Sequence, residues 1–320
     1  MPGDWSLALS KATVSIRNVL WFATEAVDSV GGTAYGTYHT ANAYGVGGVD
    51  LATGALRKIS SKGASAWGGV LWMSASNPWL VWAESLPSIT GAWDLRAWNI
   101  KTGESRLITS SRLLAGQETF PIARQDYVAW SQATSGTSAD IRIYHFSNRT
   151  TTTLDSGHLS PPVVAGKYLV WAKYLKGDAK PTFQMVDSGT LVPGAVPAVL
   201  SVPGPITYLA GSSDYLAWTK SATVMAAYDL NAGKLSTYQM AQRDGRHAFQ
   251  FPMLAGRILV WWSGVQDTIV DLATGNGFDV INGAAAGSSN LLVVSGAKGN
   301  VPTLSALHLL PNTSIPVCSH

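Results

Sequence analysis

Two short signals alternate along the whole chain, and their spacing constrains the fold more than anything else in the sequence. One is an apolar run ending in an indole: Asn18-Val19-Leu20-Trp21, Trp79-Leu80-Val81-Trp82, Tyr127-Val128-Ala129-Trp130, Tyr168-Leu169-Val170-Trp171, Tyr215-Leu216-Ala217-Trp218 and Ile258-Leu259-Val260-Trp261. A further copy, Asn290-Leu291-Leu292-Val293-Val294, lacks the indole. The other is a polar turn beginning at Asp50, Asn99, His145, Met185, Asp229, Asp271 and His308, in steps of 37 to 49 residues. A period near 40–45 residues is that of a four-stranded blade, a unit that buries its faces only by stacking on its neighbours.

The spacing predicts an all-β, seven-bladed β-propeller of four-stranded antiparallel blades. It is read as one domain over 1–320, with blades at 11–62, 66–112, 118–156, 160–202, 205–241, 249–282 and 284–317. Six blades plus an irregular terminal unit is the other reading of the same spacing. The indole runs are continuous rather than alternating, as expected of strands covered on both faces, and are assigned as second strands. The turns, as in Asp50-Leu51-Ala52-Thr53-Gly54, join third and fourth strands, with glycine supplying a positive φ. The last blade needs a fourth strand, from Ser314–Val317 or from Trp5–Ser10; the N-terminal strand is preferred, since closing the ring from both ends removes exposed edges.

These repeats resemble the TolB-like β-propeller repeats of bacterial cell-envelope and secreted proteins, which carry a Tyr-Asp-Leu-x-Thr-Gly turn. Tyr228-Asp229-Leu230-Asn231-Ala232-Gly233 and Asp271-Leu272-Ala273-Thr274-Gly275 carry the likeness. Before second strands, Ala165-Gly166-Lys167 and Ala255-Gly256-Arg257 stand where that family has Ser-Pro-Asp-Gly. The resemblance implies the fold and an extracytoplasmic binding role, and transfers no functional residue.

Composition narrows the function. Of the 320 residues 46% are hydrophobic and 13% charged, and the 22 Lys and Arg are scattered, so nothing marks a nucleic-acid footprint. The lone Cys318 allows neither an intrachain disulfide nor a cysteine-rich metal site. No apolar run reaches the roughly 20 residues of a spanning helix. Met1-Pro2-Gly3-Asp4-Trp5 has neither the basic nor the apolar region of a secretory signal. No nucleophile elbow, histidine metal pair or paired acidic motif is present, so no catalytic residue, metal or cofactor is assigned.

Candidate binding residues lie on the face opposite the polar turns. A glycine-rich stretch from Glu25 to Tyr44 is expected to be a long loop displaying Tyr35, Tyr38, His39 and Tyr44. Two residues beyond the motif tryptophans stand Glu84, Gln132, Lys173 and Lys220, expected as a partial polar ring. Arg243, Arg246 and His247, with Asp244, form the densest charged group and would suit a carboxylate or phosphate. The motif tryptophans are expected in the core; the less regular Trp67, Trp72, Trp79, Trp93, Trp98 and Trp262 include any that meet ligand, with Trp93, expected in a loop, the first choice. The leading expectation is a non-enzymatic binding or scaffolding propeller for a protein or peptide. A carbohydrate-binding propeller and a polysaccharide hydrolase or lyase are the alternatives.

Overall fold

The computed structural model describes residues 12–28, 30–63, 68–87, 90–112, 119–174, 181–200, 206–239, 250–262, 267–280, 284–288 and 291–308. Its strands form five four-stranded antiparallel sheets and one seven-stranded sheet. Each four-stranded sheet follows sequence order, as in Val70–Ser76, Trp79–Ser85, Trp93–Asn99 and Ser105–Ser111, except the one shared by the two chain ends. The larger sheet arises because the long strand Thr151–Leu159 runs on from one unit to pair with Tyr168–Tyr174 of the next, through His158 with Tyr174 and Leu159 with Lys173.

The first strands of successive units lie side by side around an axis. Trp21–Asp28 touches Val70–Ser76, which touches Ile122–Ala123; from Val163–Ala165 the contacts run on through Leu209–Gly211 and Gln250–Ala255 to Ala284–Ser288, which returns to Trp21–Asp28. The cluster of Tyr127, Ile143, Leu169 and Trp171 joins the third unit to the fourth. Hydrophobic clusters fill the wedges between sheets. Trp130 and Tyr144 pack against Trp79, Trp93 and Leu95 of the preceding unit, and Ala286, Leu291 and Val293 pack against Phe22 and Val27 across the junction of the chain ends. The fold is therefore a β-propeller, and the motif strands are apolar along their length because a neighbouring sheet covers each face. Trp82, Trp130, Trp171, Trp218 and Trp261 are all buried, as expected of wedge-filling side chains.

Closure comes from the N-terminal side, and the expected strand 5–10 lies outside the described residues. The strand Thr13–Ser15 pairs with Val301–His308, setting Val14 opposite Leu304, and completes the four-stranded sheet with Leu291–Lys298 and Ala284–Ser288. The alternative strand Ser314–Val317 also lies outside the described residues.

The first unit departs from the sequence reading. Trp21 does not end a second strand; it opens the innermost one, Trp21–Asp28, and is 51% exposed. The second strand is Thr33–His39 and the third Tyr44–Asp50, so the expected loop from Glu25 to Tyr44 is mostly strand. The register shows why: Thr33 stands opposite the turn residue Asp50 just as Trp79 stands opposite Asn99, which puts Gly36 at the position held by Trp82. The indole run was the wrong anchor in this unit, because its second strand has no indole.

The polar turns form as predicted at most of the described copies. The Asp50 carboxylate accepts from the Ala52 and Thr53 amides at 3.1 and 2.7 Å, and Gly54 takes φ +71°. The fourth copy is shifted: Asp187, not Met185, caps the turn, accepting from the Gly189 and Thr190 amides, and Leu191 rather than Gly189 occupies the left-handed position at φ +59°.

Candidate functional site

The inner strands enclose an axial channel with a cavity of about 410 Å³. Its wall combines small and apolar side chains, among them Ser74, Ala75, Val163, Ala210 and Gly287, with few charges: among the described lining residues these are Glu25, Asp28 and Arg124. Strand direction fixes their order along the axis. Trp21–Asp28 starts at the face of the second-to-third strand loops and ends at the polar-turn face, so Asp28 lies at the far end, where Arg124 also follows its short inner strand.

At the mouth on the loop face, aromatic rings converge from four units. Trp72 of the second unit meets Phe120 of the third edge-on with centroids 4.7 Å apart. Phe251 of the sixth unit lies 6.4 Å from Trp72 and 6.3 Å from Phe120, and 5.1 Å from Tyr208 of the fifth. Trp262, 42% exposed, extends the group at 6.4 Å from Phe251. Inner-strand bulges help position these groups. The register slips between Val70 and Trp72 and between Gln250 and Met253, and Phe251 takes a left-handed φ of +46°, a strained conformation for an aromatic residue. A third bulge, between Thr24 and Ala26, leaves Glu25 as the extra residue of its strand. Glu25 lines the channel and accepts a hydrogen bond from Thr37 Oγ1 at 3.2 Å; burial pushes its carboxyl up to about 7, which that hydrogen bond only partly opposes.

The expected candidates fare differently. Tyr35 and Tyr38 are buried strand residues, not loop residues: Tyr35 belongs to the cluster between the first two sheets, and the Tyr38 hydroxyl donates to the Ser60 carbonyl at 2.9 Å. His39 and Tyr44 do flank a loop on the mouth face, where their rings stack at 4.0 Å. Trp93 is likewise not a loop residue: it opens the strand Trp93–Asn99 and is buried between sheets, with Trp79 and Trp98 also in the core. Apolar bulk at these positions fills wedges, leaving Trp72 and Trp262 as the irregular tryptophans that reach the mouth among the described residues. Trp67, Arg243, Asp244, Arg246 and His247 lie outside the described residues.

The expected polar ring is instead a set of separate pairings. Glu84 is buried, bridging Lys62 and Arg96; Gln132 accepts from the Trp130 indole at 3.3 Å; Lys173 pairs with Asp155 at 2.5 Å. Lys220 is half-buried on a bulge of its strand. Sequence reading missed a repeat here. Asp94-Leu95-Arg96 and Asp140-Ile141-Arg142 occupy the same register on third strands, each five residues before its turn, and each Asp accepts from a fourth-strand serine, Ser110 at 2.7 Å and Ser156 at 2.8 Å. Burial works to raise the Asp94 carboxyl, but Ser110, Arg112 and Arg96 outweigh it and hold the group below the usual range. The fixed distance to the turn was the signal that would have found this pair.

Beside the mouth, Asp267 is buried opposite Trp262 and accepts from the Ala285 amide at 2.6 Å, tying the sixth unit to the last. Burial outweighs that hydrogen bond and pushes its carboxyl up from 3.8 to about 6. A raised folded-state pKa gives stability that is complete below the unfolded value and is lost as pH rises through about 6. Asp267→Asn keeps an acceptor for Ala285, so it is expected to stabilise the protein by about 1–3 kcal/mol at neutral pH and to flatten the decline in stability between the two pKa values. Urea denaturation at several pH values measures this, and an unchanged pH profile would refute it.

Among the described residues no group of His, Cys, Asp and Glu is placed to hold a metal ion, and no helix is long and apolar enough to cross a membrane. No known protein family matches the sequence, and no curated protein does. Solved structures match the fold. The β-propeller domain of Cps50 (Swd1) from Myceliophteria thermophila superposes with a TM-score of 0.60 at 11% identity, over 93% of this chain and 99% of that one. A chain from a study of two prolyl endopeptidases gives 0.58 at 12% identity over 94% of this chain, which spans only 49% of that longer protein. TolB from Acinetobacter baumannii gives 0.48 at 14% identity, over 85% of this chain and 78% of that one, a score that adds nothing to the assignment. At such identities the likeness concerns architecture alone: the chain has the β-propeller fold.

Proposed function

We propose that this chain is a seven-bladed binding propeller that engages a protein or peptide partner through the loop face and channel mouth. The observation that supports this most is the convergence there of Trp72, Phe120, Tyr208, Phe251 and Trp262 from four units. Rings carried on or beside paired strands offer large contact areas at small entropic cost, the character of binding hot spots. The strained backbone of Phe251 adds weight, since such strain concentrates at ligand contacts. Leu20 and Trp21, 60% and 51% exposed near His39, enlarge the apolar surface on the same face. An extracytoplasmic location accompanies this reading through the repeat resemblance, and a seven-bladed ring through the wedge clusters.

Peptides selected from a displayed library against the chain are expected to compete with one another and to lose about tenfold or more in affinity on Phe251→Ala or Trp72→Ala. Binders indifferent to both substitutions would remove the mouth as the docking surface. Hits confined to a glycan array would assign the rings to sugar stacking instead.

A further inference from the structure

We propose that the channel takes up a basic side chain of the partner, a primary ammonium or a guanidinium, with Glu25 as its counter-charge and the mouth rings as its collar. This rests on the reading of the mouth as the docking surface and adds what enters it.

The geometry around Glu25 is the first support. A bulge in an inner strand turns one additional side chain away from the regular alternation, and here that side chain is a carboxylate lining the channel. The bulge has a specific partner. Gly36, paired with Thr24, sits where the second unit has Trp82, and a Cβ there would stand 1.8 Å from the Ala23 carbonyl oxygen. The one described unit with glycine at this position is thus the unit whose inner strand swells to present an acid.

Charge placement is the second support. Arg124 lies toward the far end with Asp28 and donates to Ser188 Oγ at 3.1 Å. On the elements packed against the Glu25 strand, Val70–Ser76 and Ala284–Ser288 carry no titratable group. Thr33–His39 carries Tyr35 and Tyr38, both buried, and His39, which pairs with Trp21 at the strand's opposite end and stacks on Tyr44. In the closing sheet, Lys298 is exposed beside a hairpin and His308 ends its strand. Among the described residues, then, the hydrogen bond to Glu25 comes from the neutral Thr37.

The third support is the collar. Trp72 lines the same cavity as Glu25, and Phe251 and Phe120 stand beside it. Aromatic faces attract ammonium and guanidinium groups most strongly where water is excluded. Burial holds Glu25 partly protonated near neutrality, so an arriving cation favours the charged carboxylate and releases a proton. Affinity for a cation therefore rises as pH rises through about 7.

The test titrates the full chain with blocked tripeptides of sequence Gly-X-Gly, where X is lysine, arginine, norleucine or glutamate, by calorimetry and tryptophan fluorescence. The lysine or arginine peptide is expected to bind and the norleucine and glutamate peptides to fail. Glu25→Gln, near-isosteric and still an acceptor for Thr37, is expected to weaken cation binding about tenfold or more. On the unmodified chain the affinity should rise between about pH 6 and about pH 8. Cation binding that is absent, flat with pH or unchanged in Glu25→Gln overturns the inference. If library-selected peptides still depend on Phe251 and Trp72 while their own charge makes no difference, the cation inference falls and the mouth reading stands. If those peptides ignore Phe251 and Trp72 as well, both fall.

Discussion

Replacing Trp130 by alanine is expected to destabilise the protein by about 3–5 kcal/mol, while the same change at Trp21 is expected to cost less than about 1 kcal/mol. The two residues end look-alike runs in the sequence, yet Trp130 is 0% exposed in the wedge between the second and third sheets, against Tyr144 and Phe146 of its own unit and Trp79 and Leu95 of the preceding one. Its removal leaves a cavity that two paired sheets cannot close by relaxing, and deprives Gln132 of the indole that donates to it at 3.3 Å. Trp21 is half in solvent at the start of an inner strand. Chemical denaturation of the two variants side by side checks this. Equal costs would mean that Trp21 also fills a wedge, and the assignment of the first unit would have to be revised.

Deleting residues through Ser15 is expected to cost about 3–5 kcal/mol and to make the protein self-associate. The three-residue strand contributes backbone pairing worth about 1 kcal/mol per hydrogen bond and the packing of Val14 against the closing cluster. It also contributes the Thr13–Ser305 hydroxyl contact at 2.7 Å. Without it, Val301–His308 becomes an open edge with unpaired amides and carbonyls, a template for another chain. The deletion leaves Ile16 in place, so the core at that junction keeps its anchor. A lower denaturation midpoint together with a larger species on size-exclusion chromatography is the expected pair of results. A truncated chain that stays monomeric and equally stable would show that the closing strand is dispensable.

Local chemistry made the turns and most of the second strands legible. An Asp whose carboxylate caps its own turn forms the same structure in any unit, which is why the turns at Asp50, Asp229 and Asp271 are legible in the sequence. Continuous apolar runs likewise reported strands sandwiched between sheets, and from Trp79 onward the described runs were right. The first unit was misread because its register rests on the pairing of Thr33 with Asp50, and a tertiary pairing leaves no mark when glycine replaces the expected indole. Tyr35, Tyr38 and Trp93 were mistaken for displayed rings for a related reason: aromatic residues near glycines suit a loop and a wedge equally, and only burial separates the two.

By itself, then, the sequence determined a repeating, all-β chain whose units stack, because turn chemistry and apolar runs act over a few residues and recur with the period. Only the tertiary structure decided where the candidate site lies. Glu25, Trp72, Phe120, Tyr208 and Phe251 are far apart in the chain, and ring closure brings them to one channel and its mouth. The bulges that help aim them depart from the repeat, and a departure of one residue becomes visible only when the partner strand supplies the register.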